Sequence, residues 1–381
     1  MKIPFAKPLI TKKERSFVSK VLASPILTHG ENLINFENNF KKKFNFKYAH
    51  GVSSCTAALH LSFMAIDLKN GDEVIVPNQT HVSTVHTFEI LGAKPIFIDS
   101  NNFDGNMDVN KIENKITKNT KAIVVVHYLG KPADILKIKK ICKKKKLYLI
   151  EDCALSIGAR VNNKYVGGFG DFGCFSFYPA KHITTADGGM LVCKNKKFYK
   201  KIKLLKGFGV DKNFNERKVP GEYDVKLLGL NYRLDEIRSR LGISQLKKLD
   251  YFVSIREKNY LFLKNSFKKI KQFKLLNLDS ENNKKSSYYC VSIILSNKLK
   301  KDRLKIIKKL KDNGIGTSIH YPKIVSDYTY YKKKYKISPK NFPNASIMSY
   351  RSINLPVGPH LTKKNLLFIT STIKEIFKKF I

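Results

Sequence analysis

Acidic residues are scarce in this chain: 30 Asp and Glu stand against 72 Lys and Arg, a formal net charge of +42. That imbalance points first to nucleic acid, yet arginine is scarcer still, with nine residues beside 63 lysines. Base-edge readout and phosphate forks favour the planar guanidinium. No aromatic residues interleave with basic runs such as Lys143-Lys146 and Lys332-Lys334 in a stacking pattern. The charge reads as solvated, lysine-covered helix faces able to draw in an anionic substrate, and a lysine-rich nucleic-acid binder is the lesser reading. The six cysteines (Cys55, Cys142, Cys153, Cys174, Cys193, Cys290) include no Cys-x-x-Cys pair, so neither a zinc site nor a disulfide frame is expected. No apolar run approaches the roughly 20 residues of a membrane span. The opening Met1-Lys-Ile-Pro-Phe-Ala-Lys-Pro carries two prolines and no apolar h-region, so a signal peptide is not expected and a cytoplasmic protein is.

What is present is enough for one large core and a second, smaller one: 381 residues, 43% of them hydrophobic. Four apolar runs of strand length, Glu73 to Pro77, Lys94 to Asp99, Ala122 to Val126 and Leu147 to Ile150, alternate with stretches long enough for crossover helices. Those stretches are Thr84 to Leu91, Val109 to Thr117 and Ala133 to Lys145. The alternation predicts an α/β fold with a mostly parallel central sheet flanked by helices, in which ligands collect at the carboxyl ends of the strands. Phe172 to Phe177 and Gly189 to Cys193 add strands, and helical spacing runs from Leu234 through Leu263. A strand over Ser287 to Leu295 and helices over Leu299 to Asn313 and Lys363 to Lys379 predict a smaller C-terminal α+β domain. The division expected is 1–250, with an N-terminal arm, and 251–381.

Within a lysine-saturated chain one lysine stands apart. Between Tyr165 and Cys193 the only formal charges are Asp171, Lys181 and Asp187. An amine that loses water in such a segment has a lowered pKa and becomes a nucleophile able to form a Schiff base; the plain alternative is a snorkelling lysine at a turn. Glu151-Asp152 closes a buried strand where the crevice opens, and a carboxylate there can keep a pyridine nitrogen protonated or cap the next helix. Ser53, Ser54 and Thr56 precede an apolar-periodic segment and read as a phosphate seat at a helix N-terminus, or as ordinary caps. His81, after another strand end, is placed to lie flat against a bound ring. The four signals share one edge of the sheet, and their combination is more specific than any member.

Those residues carry a resemblance. Ser54 to Leu61, Pro77 to Thr84, Glu151-Asp-Cys-Ala, Gly173-Cys-Phe-Ser-Phe-Tyr-Pro-Ala-Lys181, Gly229-Leu-Asn-Tyr-Arg-Leu-Asp-Glu-Ile237 and His320-Tyr-Pro322 make the chain similar to the DegT/DnrJ/EryC1/StrS sugar aminotransferases. These are fold-type I enzymes that use pyridoxal 5′-phosphate (PLP). The resemblance implies catalytic roles for Lys181, as the Schiff-base lysine, and for Asp152, as partner of the pyridinium nitrogen. It places His81 over the ring, and it implies phosphate contacts from Thr56, Ser176 and, from the opposite subunit of a homodimer with shared sites, Asn231. His182, His320 and Tyr321 fall toward the entering nucleotide-sugar. The implied reaction moves an amino group from an amino acid, L-glutamate by expectation, to a nucleotide-linked keto-deoxyhexose, at C4 rather than C3, in amino-sugar or polysaccharide biosynthesis. A PLP-dependent nucleotide-sugar dehydratase is the alternative enzyme on this scaffold, and there histidine replaces the lysine. Three positions depart from the family pattern: Cys55 replaces a glycine in the phosphate turn, Leu155 stands where a hydrogen-bonding side chain is usual, and Asp187 stands where glutamate is frequent.

Overall fold

A computed structural model describes residues 1–212, 219–281 and 283–379. Seven strands form the central sheet: β1 (Tyr48–Val52), β2 (Glu73–Pro77), β3 (Lys94–Ile98), β4 (Thr120–Val126), β5 (Tyr148–Asp152), β6 (Phe172–Ser176) and β7 (Gly189–Cys193), in the order β1-β7-β6-β5-β4-β2-β3. Only β7 runs against its neighbours, pairing antiparallel with both β1 and β6. Twelve helices are described: α1 (Lys12–Leu22), α2 (Glu31–Phe44), α3 (Cys55–Ala65), α4 (Val82–Glu89), α5 (Ile135–Lys145), α6 (Lys196–Leu205), α7 (Glu236–Lys247), α8 (Leu249–Phe267), α9 (Arg303–Asp312), α10 (Thr329–Tyr335), α11 (Pro343–Arg351) and α12 (Lys363–Lys378).

The strands read as nearly unbroken apolar runs because both faces are covered. On one face Val74, Val76, Ala122, Val124, Ile150, Phe172 and Leu191 pack against α3 and α6. Their alternates face the other way, Ile75, Ile123 and Val125 onto α5 and Phe175, Met190 and Val192 onto the phenylalanines of α2. Helix α3 is buried on nearly every side and capped by Ser54, whose hydroxyl accepts from the Ala57 N–H at 3.0 Å. Such a cap is worth about 1 kcal/mol.

A second sheet, β8 (Phe273–Leu275), β9 (Val291–Leu295) and β10 (Ser352–Leu355), lies with α8, α9 and α12 around a separate apolar cluster. Ile3 belongs to that cluster, and its backbone pairs in parallel with Ile315. Residues 324–345 return to the large sheet, burying Ile324, Val325, Tyr331, Phe342 and Ala345 against it.

Three expected elements differ. The helix expected over Val109 to Thr117 is instead two 3₁₀ turns, Val109–Lys111 and Glu113–Lys115; only Val109 and Ile112 are buried there, an i,i+3 pair that the tighter helix already aligns. The strand expected from Ser287 begins at Val291, because Ser287 and Tyr289 donate their N–H groups to the carbonyls of Gly130 and Leu129 in the large domain. Strand β1 was not foreseen, since His50 and Gly51 interrupt its apolar pattern. Among the described residues no helix is long and apolar enough to cross a membrane.

Candidate active site

At the end of β5 the pleat sends two adjacent carboxylates to opposite faces. Asp152 shares the side of Ile150 and meets α4: its Oδ2 accepts from the Thr84 hydroxyl at 2.9 Å and its Oδ1 from the Ala154 N–H at 3.0 Å. Glu151 points the other way. Its Oε1 accepts from Phe169 and Gly170 N–H at 2.7 and 2.6 Å, and its Oε2 from Gly167 N–H at 2.7 Å and His127 Nε2 at 3.0 Å. The expectation that both carboxylates open onto the crevice is therefore corrected, and Asp152 alone does so. His127, Glu151 and Cys153 bring ligand-type atoms within 4.8 Å of one another, but each Glu151 oxygen already accepts two hydrogen bonds, so this cluster ties down the 167–170 turn.

Strand β7 gathers the other parts. Gly189 pairs with Val52 at the end of β1 and with Ser176 at the end of β6, so the Ser54 turn and Ser176 sit on either side of it. A Cβ on Gly189 would lie 2.5 Å from the Ser54 carbonyl carbon and 2.7 Å from the Cys55 nitrogen, so only glycine admits this turn. Ser54 and Thr56 flank buried Cys55 at the start of α3, with the Thr56 side exposed. Burial pushes the Cys55 thiol well up, and the nearby Asp152 charge adds to this, which keeps the thiol protonated.

Lys181 follows β6 in a turn closed by its own N–H to the Tyr178 carbonyl at 2.9 Å. Part of the residue reaches solvent, yet the amine lies deep enough that burial lowers its pKa, opposed by the charge of the Asp152 carboxylate. Its Nζ stands 5.6 Å from the centre of the Tyr289 ring. His320 is pushed down to about 3 by burial, then by Lys181 and His81, and so is neutral; its Nδ1 accepts from Asn354 Nδ2 at 2.7 Å. Burial holds the Tyr321 phenol well above its ordinary range, reinforced by Asp152. Lys181, Asp152, Cys55, His81, His320 and Tyr321 thus share one electrostatic neighbourhood.

The remaining expected site residues take the following places. His81 is the N-cap of α4, accepting from the Ser83 N–H at 3.2 Å, and its exposed ring meets Tyr321 at 5.4 Å and 66°. His182 turns away from the crevice and donates Nε2 to the Ser287 carbonyl at 2.9 Å, beneath Arg256. Asn231 is exposed, bridged to Gly207 beside the segment that hydrogen-bonds Ser53. Leu155 is buried in the cluster of the second sheet.

Residues 8–374 match the sequence profile of the DegT/DnrJ/EryC1/StrS aminotransferase family. The chain belongs to that family. It is 35% identical over 377 residues to the GDP-perosamine synthase of Escherichia coli O157:H7, covering 98% of both chains. It is 32% identical to the UDP-4-amino-4,6-dideoxy-N-acetyl-beta-L-altrosamine transaminase of Campylobacter jejuni, covering 99% of this chain and 98% of the other. Among solved structures, Helicobacter pylori PseC, an aminotransferase of pseudoaminic acid biosynthesis, superposes with a TM-score of 0.92 at 30% identity, and both chains are fully covered. The PLP-form of the sugar aminotransferase Spr1654 from Streptococcus pneumoniae superposes at 0.93 with 25% identity, again over both full chains.

As a DegT/DnrJ/EryC1/StrS enzyme the chain is an aminotransferase with PLP as its cofactor. Its residues fit that group: a desolvated amine, an acid held by two donors, and a turn against Gly189 that a Cβ would fill. The family's Asn-Tyr-Arg-Leu-Asp-Glu segment resolves into separate tasks. Tyr232 hydroxyl meets His60 Nδ1 at 3.0 Å, Asp235 caps α7, and buried Glu236 accepts from Gly30, Asn32 and Leu33 N–H and from Asn32 Nδ2 at the start of α2. Sequence reading missed Thr84, Tyr289 and Gln79. The last donates to the His320 carbonyl at 2.8 Å and to the Tyr128 hydroxyl at 3.0 Å. Thr84 left one signal, a second hydroxyl four residues after Thr80, to which it bonds at 2.9 Å; Tyr289 left none.

Proposed function

We propose that this enzyme transfers an amino group from L-glutamate to C4 of a nucleotide-linked keto-deoxyhexose, with Lys181 and Asp152 as its catalytic residues. The observation that carries the reading is the desolvated Lys181 amine in the same pocket as the hydrogen-bonded Asp152 carboxylate. The relatives named for perosamine and amino-dideoxy-altrosamine synthesis support the acceptor class.

When bound, PLP supplies an aldehyde that takes up the amino group and a ring that withdraws electrons from the reacting carbon. Asp152 holds the ring nitrogen, and Thr84 and the Ala154 N–H fix the carboxylate that does so. Ser54, Thr56 and Ser176 bind the phosphate beside Gly189, with the first turn of α3 presenting its free N–H groups. Burial lowers the pKa of the Lys181 amine, which favours the uncharged base that would take a proton from the substrate carbon and return it one atom away. Tyr321 and neutral His320 face the same pocket and would meet the sugar. His182 stands outside that contact and supports the lysine turn from below.

A homodimer with shared sites accords with the apolar surface next to Asn231. Leu228 is 88% exposed, and Phe208, Tyr223, Val225 and Leu230 are exposed around it.

Purified enzyme incubated with L-glutamate and a panel of nucleotide 3-keto and 4-keto sugars should release 2-oxoglutarate and an amine detected by mass. A dehydratase would consume the sugar without stoichiometric 2-oxoglutarate. Lys181→Ala should lose the visible absorbance of the lysine-bound cofactor, with turnover falling by about 10²- to 10⁴-fold or more. Retention of both would overturn the assignment.

A further inference from the structure

Tyr289 sits at a junction that none of the roles above uses. It is buried, its carbonyl accepts from Arg256 Nη1 at 3.0 Å, and its N–H is tied to the Leu129 carbonyl at 3.1 Å. Both ends of its backbone are thus held by the large domain and by α8. Its ring presents a face to the Lys181 amine, with Nζ 5.6 Å from the centroid, inside the range at which a ring attracts a cation. Around that ring stand Phe5 at 6.2 Å, edge-on, His320 at 5.2 Å, edge-on, and His182 at 5.9 Å, tilted. Phe5 also meets His320 directly at 5.8 Å.

Phe5 comes from the far end of the chain and is seated by its neighbours. Ile3 donates its N–H to the Gly314 carbonyl at 2.8 Å and accepts from Gly316 at 2.7 Å, with its side chain in the second apolar core. The Pro4 carbonyl accepts from His360 Nε2 at 3.0 Å. The first residues therefore form an added edge to the small domain, and the one aromatic side chain among them closes the triangle with Tyr289 and His320.

We infer that Tyr289 is a further catalytic residue, whose ring face holds the Lys181 ammonium in place between proton transfers, and that Phe5 is the positioning residue that keeps Tyr289 and His320 set for it. This rests on Lys181 acting as the transaminating amine. A buried ammonium loses most of its water, and a fixed π face can stabilise it more weakly than a carboxylate does, so that the amine can still give up its proton. Asp152 and Cys55 face the same amine, and His81, His182 and His320 feel its charge, so the ring's share is read by changing the ring alone.

The test compares kcat and KM against pH for the PLP-loaded wild type, Tyr289→Leu, Tyr289→Phe and Phe5→Ala, with thermal unfolding of each. Tyr289→Leu should lower kcat about tenfold or more and move the kinetic pKa of the lysine down by about one unit, because the charged form loses its partner. Tyr289→Phe keeps the ring and should restore both. Phe5→Ala should shift kcat and the pH profile in the same direction by a smaller factor, with cofactor absorbance retained. Wild-type kcat and pH profile in Tyr289→Leu would overturn the inference, as would equal impairment in Tyr289→Phe. Should Tyr289→Leu fail to fold, the half-exposed Phe5 decides, and an unchanged profile in Phe5→Ala overturns it. A wild type without transaminase activity would refute the proposed function, a distinct outcome.

Discussion

Replacing Gly189 by alanine tests whether the cofactor seat is built by close backbone approach. The new Cβ would meet the Ser54 carbonyl carbon at 2.5 Å, its oxygen at 2.6 Å and the Cys55 nitrogen at 2.7 Å. All three are backbone atoms, with no flexible tip that can swing aside. Comfortable carbon contacts begin near 3.5 Å, so the strand and the turn must separate by roughly 1 Å. Strand β7 is paired on both sides, to β1 and β6, so the turn and the start of α3 are what yields. Overpacking of this kind costs about 1–3 kcal/mol, and displacing binding groups by 1 Å can cost about 10²-fold. The expected result is a PLP affinity lower by about 10- to 100-fold, with unfolding of the cofactor-free protein shifted by only about 1–3 kcal/mol. Titrating cofactor-free enzyme with PLP, read by the absorbance of the lysine-bound form, measures the first quantity, and urea unfolding measures the second. Wild-type PLP affinity in Gly189→Ala would refute the placement of the phosphate at this turn.

Thr84→Val removes the hydroxyl donor to Asp152 while keeping shape; a hydrogen bond to a charged group contributes about 1.5–3 kcal/mol, so kcat should fall about tenfold or more, and an unchanged kcat in steady-state assays would deny Asp152 its role. Glu236→Ala leaves four donors at the start of α2 without their acceptor and should cost about 1.5–3 kcal/mol in urea unfolding, more than any exposed carboxylate. Burial keeps His50, His182 and His320 neutral by lowering their pKa, for His320 to about 3. The unfolded chain then binds more protons below about pH 6.5, so stability is full above that value and falls as pH drops, by up to about 1.4 kcal/mol per unit for each histidine. Unfolding midpoints at pH 8, 7, 6 and 5 check this, and a flat profile from 7 to 5 would contradict it.

Much of the fold was legible because its signals are local. Strands β2 to β7 announce themselves as short β-branched or apolar runs, and the charge desert around Lys181 needs no partner to be seen. The two 3₁₀ turns after Asp108 were not legible, since a buried i,i+3 pair looks the same in either helix type. Nor was the fate of Ser287 to Cys290, whose strand-like composition is spent on hydrogen bonds to residues 129–130 rather than on a ladder.

Residue type and spacing by themselves determined the α/β class and marked a lone lysine and a strand-end pair of carboxylates as candidates, because signals of that kind depend on what a side chain is and on where a strand ends. Which of two adjacent carboxylates faces the crevice, which glycine the turn rests on, and the meeting of Phe5, Tyr289 and Lys181 were decided only in three dimensions. Those contacts join segments up to hundreds of residues apart, and no local pattern records which distant surface a side chain will touch once the two cores close.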